Sequence, residues 1–234
     1  LRSFAFKGKE NVNGWGIAGY HNDGKANILR SADPAYDCVN RNLSGEFTIA
    51  CQAVNSPIIL GHLRLTSRGS NIVDNNHPFK LNFLGNDWTF MHNGTAHYPD
   101  SLVEPGERLL IRSNNDSARV FEFLRKEIID YYHSSHKKSI IEGCRKAFTK
   151  LLAKDGGTFN VVLSNGYLSF VFIHHRIFYL LRRKKEHGQV ALITTIANLT
   201  AGEEWIQIDK LTNKKAKMLV FSGPLLIFNG DIPK

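Results

Sequence analysis

A chain of 234 residues with 42% apolar side chains can bury a substantial core, and no apolar run approaches the roughly 18 residues of a membrane span. Lys and Arg number 30 against 21 Asp and Glu, a formal charge of +9, and such a balance attracts anions. The densest basic clusters, Arg182-Arg183-Lys184-Lys185 and Lys214-Lys215 with Lys217, read as solvated loops between strands. Neither zinc-finger spacing nor an RNP-type aromatic motif accompanies them, so nucleic acid is disfavoured as a partner.

The chain opens on Leu1 rather than Met, and initiator Met is trimmed only before small residues, so the expectation is a sequence that begins inside a longer protein. Residues 3–16 are punctuated by glycine, and Gly14-Trp15-Gly16-Ile17-Ala18 leads into a strand that stops at His21-Asn22-Asp23-Gly24. Residues 58–65 read as a strand whose period of two sets His62 and Arg64 on one face, with Gly61, Leu63 and Leu65 on the other. A second strand over 88–92 runs into His92-Asn93-Gly94, where Asn-Gly predicts a turn because both residues tolerate positive φ. Asp116 reads as the cap of a helix with the stripe Val120, Phe121, Leu124, Ile128 and Tyr131. Ser139-x-x-Glu142 is a capping box opening a helix that turns Ile140, Ile141, Cys144, Phe148, Leu151 and Leu152 inward and ends at Gly156-Gly157. Strands 158–163 and 167–173 then meet across Ser164-Asn165-Gly166, and further strands are expected at 177–182, 190–196, 217–221 and 225–228. Helices grouped between sets of strands predict one α+β layered domain over residues 1–234 rather than a doubly wound one.

Three cysteines, Cys38, Cys51 and Cys144, with no CxxC argue against a disulfide framework or zinc site and for a reducing, cytoplasmic compartment. None sits on a Gly-x-Cys-x-Gly elbow, and all three read as small apolar residues. His62, His77 and His92 recur every 15 residues, yet no Cys or carboxylate completes a ligand set, so each reads as a hydrogen-bonding residue and no metal or cofactor is expected. A different constellation emerges between residues 62 and 116. Arg64 offers a rigid fork for a carboxylate, and Asp116 a charge for an ammonium. The Asn93 side-chain amide and the Gly94 N–H are adjacent donors of the kind that make an oxyanion hole. Together they describe a site for an amino acid with a cleavable carbonyl. The plainer readings stand beside it: Arg64 in a structural ion pair, Asp116 as an N-cap, Asn93-Gly94 as a turn.

These stretches resemble the class II glutamine amidotransferases of the Ntn-hydrolase superfamily. The likeness is strongest to a stand-alone branch related to fungal glutathione-degrading and bacterial ergothioneine-pathway amidohydrolases. It is carried by Asn13-Gly14-Trp15-Gly16-Ile17-Ala18, Gly61-His62-Leu63-Arg64 through Arg68-Gly69, Asn76-His77-Pro78-Phe79, Trp88 through His92-Asn93-Gly94, and Asn115-Asp116-Ser117. Thr195-Ile196-Ala197-Asn198-Leu199-Thr200 with Glu203, Glu204 and Trp205 adds a later match. The resemblance implies a four-layer αββα sandwich with two stacked antiparallel sheets, the first strand not included in this sequence. It implies that Arg64, with Ser67 and His77 nearby, holds the α-carboxylate of glutamine or a γ-glutamyl compound. Asp116 would hold the α-amino group, and Asn93 and Gly94 would form the oxyanion hole. An ammonia-accepting or activating partner protein, and a homo-oligomer, are further implied candidates.

One departure stands out. The family nucleophile is a cysteine at the mature amino terminus, whose own α-amine serves as base, and the sequence starts Leu1-Arg2-Ser3. Two readings stay open. The natural protein begins Met-Cys ahead of these residues, or it is a homologue without the nucleophile that acts as a glutamine-like ligand binder or scaffold subunit.

Overall fold

The computed structural model describes residues 4, 6–66, 70–136, 138–185, 188–196, 202–208 and 216–233. In chain order, β1 (Trp15–Tyr20) and β2 (Ala26–Ser31) form a hairpin, followed by the short pair β3 (Tyr36–Asp37) and β4 (Asn42–Leu43). Helix α1 (Gly45–Ala53) leads to β5 (Ile59–Leu63), then β6 (Phe79–Phe83) pairs with β7 (Asn86–His92). Two long helices come next, α2 (Asp116–Ser134) and α3 (Ile140–Lys154). The remainder is β8 (Val161–Ser164), β9 (Leu168–Ile173), β10 (Phe178–Lys185), β11 (Gly188–Thr194), β12 (Ile206–Ile208), β13 (Ala216–Ser222) and β14 (Leu225–Ile232).

All the strand pairs are antiparallel. The largest sheet runs β14-β13-β9-β8-β7-β6, and smaller sheets run β2-β1-β5 and β11-β10-β12. Because strand side chains alternate between faces, each central strand serves two cores. Trp88, Phe90, Leu163, Phe170, Phe172, Met218 and Val220 pack with Phe121, Leu124 and Phe148 of the two long helices. The intervening residues Val171, Ile173, Leu219 and Phe221 pack instead against Phe178 and Leu180 of β10, while Met91 and Val162 meet Ala18, Tyr20 and Leu60. Trp15, Ile17 and Leu63 face outward onto Phe47 and Ala50 of α1. The result is the expected α+β sandwich of helices, sheet, sheet and helix. Tyr20 pins the two sheets together, its hydroxyl bonded to Ser164 O at 2.7 Å, Thr89 Oγ1 at 2.8 Å and Asp87 O at 3.2 Å.

Several local expectations are corrected. The N-cap of α2 is Asn115, whose side chain accepts from the Ser117 N–H; Asp116 is the first helical residue. Asn93-Gly94 is not a hairpin turn. The Asn93 N–H donates to Asn160 O at 2.8 Å, and Thr95 and Thr158 exchange both backbone bonds at 2.9–3.0 Å, so the chain carries on beside residues 158–160. Arg182 through Lys185 lie inside β10 and pair with β11, rather than in a loop. Cys38 is exposed rather than part of an apolar interior. Ser67, Arg68, Lys214, Lys215 and most of the 195–200 match lie outside the described residues.

Candidate functional site

One cavity of about 410 Å³ opens where the end of β5, the entry to β6, the end of β7 and the start of α2 come together. Its walls include His62, Arg64, His77, His92, Asn93, Gly94 and Asp116. Arg64, His77, Asn93, Gly94 and Asp116, separated in sequence by up to 52 positions, are therefore brought to one site; Ser67 is outside the described residues.

Close backbone approach builds two of the walls. A Cβ on Gly16 would stand 2.0 Å from His77 O, so β1 can lie against the segment that presents His77 only because residue 16 has no side chain. A Cβ on Gly94 would stand 1.8 Å from Thr158 O and 2.6 Å from His92 Nε2. Gly94 is thus required by contact, not by positive φ. The Asn93 side-chain amide and the Gly94 N–H carry no hydrogen bond among the described residues, so two adjacent donors line the cavity unspent.

The carboxylate of Asp116 is oriented by the Ala96 N–H, 2.7 Å from Oδ2, and the Ser117 N–H, 2.9 Å from Oδ1. Each oxygen keeps a lone pair for a ligand. At the first turn of α2 such a charge is also favoured by the helix dipole. Arg64 is 3% exposed, and its Nη1 donates to Ser70 O at 3.1 Å. Burial lowers its pKa, but a guanidinium stays charged at neutral pH.

Asn75, fully buried, ties these walls together. Its Nδ2 donates to Ser70 O and Asn114 Oδ1, and its Oδ1 accepts from the Ser113 hydroxyl and the Asn114 N–H. The loop that anchors Arg64 is thereby stitched to the segment that enters α2. Nothing in a run such as Asp74-Asn75-Asn76 distinguishes that hub from a polar loop, and sequence reasoning missed it. Asn160, His175 and Arg176, which bear on the opposite wall, were missed too.

The three evenly spaced histidines share this cavity. His62 and His77 have ring centroids 4.5 Å apart. Burial, then the nearby His92 and Arg64, pushes His62 down to about 4; burial likewise holds His77 well below its ordinary value, with His62, His92 and Arg64 adding to it. Both rings are therefore neutral. Among the described residues, neither nitrogen of His77, nor Nδ1 of His62, finds a hydrogen-bond partner. Among the described residues no group of three or more His, Cys, Asp or Glu is arranged to hold a metal, and no helix is long and apolar enough to cross a membrane.

Comparison with known proteins bears on this geometry. The family model of glutamine amidotransferases class-II matches residues 1–220. An uncharacterized protein of Methanocaldococcus jannaschii is 27% identical over 99% of this chain, which spans 65% of that relative's length. A crystal structure of a predicted glutamine amidotransferase from Pseudomonas aeruginosa superposes with a TM-score of 0.61 at 19% identity, covering 92% of this chain and 87% of that one. Glutamine phosphoribosylpyrophosphate amidotransferase from B. subtilis gives a TM-score of 0.65 at 13% identity, with 99% of this chain and 47% of that one covered. At such identities the two structures speak to the fold.

Proposed function

The chain belongs to the class II glutamine amidotransferases, and from that premise we propose that its cavity cleaves the γ-amide of glutamine or of a γ-glutamyl compound. In this reading Arg64 grips the α-carboxylate, with His77 and Ser67 beside it, and Asp116 takes the α-ammonium. A cysteine thiolate at the mature amino terminus attacks the side-chain carbonyl carbon, with the terminal α-amine as base. The carbonyl electron pair moves to oxygen, and the oxyanion is held by the Asn93 side-chain amide and the Gly94 N–H. The C–N bond then breaks, and the nitrogen leaves with a proton as ammonia or an amine. Water opens the thioester, releasing glutamate and restoring the thiol. A reducing, cytoplasmic compartment suits such a thiol.

One observation supports the reading: a guanidinium, a carboxylate and two adjacent donors with no hydrogen bond among the described residues line a single cavity. The rival reading is a glutamine-like ligand binder or scaffold subunit, which the same charged cavity would serve without a nucleophile. The natural mature protein decides between them by glutamate release from glutamine. Turnover is expected, and Asn93→Ala should lower kcat by about 10²- to 10³-fold with little change in KM. Full turnover in Asn93→Ala removes the oxyanion assignment; glutamine binding without turnover in the natural protein selects the binder. An ammonia-accepting or activating partner protein, and self-association, remain proposals of the same reading.

A further inference from the structure

An α-amino acid carries its carboxylate and its ammonium on one carbon, so groups that grip both must keep a fixed separation. A binding constellation of this kind has to be held to within about 0.5 Å. Here the two grips come from different elements. Arg64 follows the last residue of β5, and Asp116 is the first residue of α2.

The side chain of Asn75 bridges the two. Arg64 Nη1 donates to Ser70 O at 3.1 Å, and Asn75 Nδ2 donates to the same oxygen at 2.7 Å. The other Nδ2 hydrogen goes to Asn114 Oδ1 at 2.7 Å. Asn75 Oδ1 accepts from the Ser113 hydroxyl at 2.8 Å and the Asn114 N–H at 3.1 Å. Asn75 O accepts from Asn115 Nδ2 at 3.2 Å, and Asn115 is the N-cap that directly precedes Asp116. Both donors and both acceptor positions of this buried amide are therefore spent. The pattern also demands an amide. Ser70 O can only accept and the Asn114 N–H can only donate, so one end of the side chain must carry hydrogens and the other must not. Asn75 lies behind the cavity wall rather than in it.

We infer that Asn75 is a positioning residue that sets the spacing between Arg64 and Asp116, so that carboxylate and ammonium are recognised as a matched pair. The inference rests on the proposed amidohydrolase reading and adds to it a residue that never touches substrate. The two halves of the bridge can be loosened separately. Asn75→Asp keeps the oxygen that faces Ser113 and Asn114 but turns a second oxygen towards Ser70 O, which frees the Arg64 side. Ser113→Ala leaves the Ser70 contact intact and removes a donor to Asn75 Oδ1 as well as the acceptor of the Asn115 N–H, which frees the Asp116 side.

The test compares kcat/KM of the natural mature protein for glutamine, for glutaramate, which lacks the ammonium, and for γ-aminobutyramide, which lacks the carboxylate. Wild type should prefer glutamine over each analogue by at least about tenfold, the scale of one charge-assisted hydrogen bond. In Asn75→Asp the preference over γ-aminobutyramide should fall about tenfold while that over glutaramate holds. Ser113→Ala should do the converse, by about threefold. Both changes should act through KM, with kcat for glutamine within about twofold of wild type. A smaller folded fraction lowers all three rates together and moves neither ratio. Should Asn75→Asp not accumulate as folded protein, the ratios of Ser113→Ala decide. Glutamine turnover with both ratios unchanged in the variants, or with kcat lowered and KM unmoved, overturns this inference alone. No turnover of glutamine by wild type overturns it together with the reading beneath it.

Discussion

Gly94→Ala separates the architectural demand at this position from the catalytic one. The new Cβ would sit 1.8 Å from Thr158 O, whereas ordinary van der Waals contact begins near 3.4 Å. Relief to a tight 3.2 Å requires the 93–95 segment to part from 158–160 by about 1.4 Å. The bonds that cross this seam, Asn93 N–H to Asn160 O at 2.8 Å, Thr95 N–H to Thr158 O at 3.0 Å and Thr158 N–H to Thr95 O at 2.9 Å, do not survive such a displacement. At about 1 kcal/mol each, their loss costs about 3 kcal/mol. For a chain of this size that corresponds to a fall in Tm of about 6–12 °C. Thermal unfolding followed by circular dichroism reads this directly. A Gly94→Ala protein that melts within about 2 °C of wild type would show that the seam does not need a bare backbone, and the argument from contact would fail.

Two buried polar side chains, His62 and Tyr20, give two further outcomes. His62 is held neutral, down to about 4 from 6.5, by burial first and by His92 and Arg64 next. An unfolded chain takes up this proton below pH 6.5 and the folded one does not, so stability should be lost progressively as pH falls from 6.5 towards 4, on the order of 3 kcal/mol in all. Urea titrations across that range should show a shallower loss in His62→Gln than in wild type; equal slopes would refute the assignment. Tyr20→Phe removes a hydroxyl bonded to Ser164 O and Thr89 Oγ1 between the two sheets, where burial has raised its pKa to about 12. The variant should lose about 1–3 kcal/mol in chemical denaturation, and a protein as stable as wild type would mean that these acceptors find other donors.

What the sequence could and could not convey depends on the physics at each place. The two long helices were legible because Val120, Phe121, Leu124 and Ile128, and likewise Cys144, Phe148 and Leu151, keep helical spacing and bury one face against one sheet. The hairpin of β8 and β9 was legible because its turn residues obey local rules, and Gly166 has φ +86°. By contrast, β2 is mostly half-buried with no clean alternation, so its pattern is silent. Helix α1 buries only Phe47 and Ala50, too few to write a stripe. Asn93-Gly94 misled for another reason: a glycine needed for positive φ and one needed for close approach are the same letter. Asn115 and Asp116 are both good caps, and only their surroundings, with Asp116 turned towards the Ala96 N–H, determine which one caps. Arg64, His77, Asn93, Gly94 and Asp116 could be shortlisted from side-chain chemistry, but their convergence arises from pairings between distant strands.

The tautomer of His92 shows how that convergence is held. Its Nε2 lies 2.9 Å from Thr158 O, which can only accept, so Nε2 bears the hydrogen. Nδ1 must then accept from the Ser117 hydroxyl, 2.9 Å away. With that proton committed to His92, the Ser117 hydroxyl cannot donate to Asp116 Oδ1 at 3.4 Å, and the carboxylate relies on the Ser117 and Ala96 N–H groups instead. A protonated imidazole would have to donate at both nitrogens and would force the hydroxyl to turn. The pKa of His92 is lowered, chiefly by burial, which keeps the neutral arrangement. One uncharged ring thus braces Thr158, the residue Gly94 packs against, to the first turn of α2, which presents Asp116. In His92-Asn93-Gly94 the three residues divide three tasks that cannot be exchanged: the ring spans the gap between layers, the amide lines the cavity, and the missing Cβ lets residues 93–95 close on 158–160.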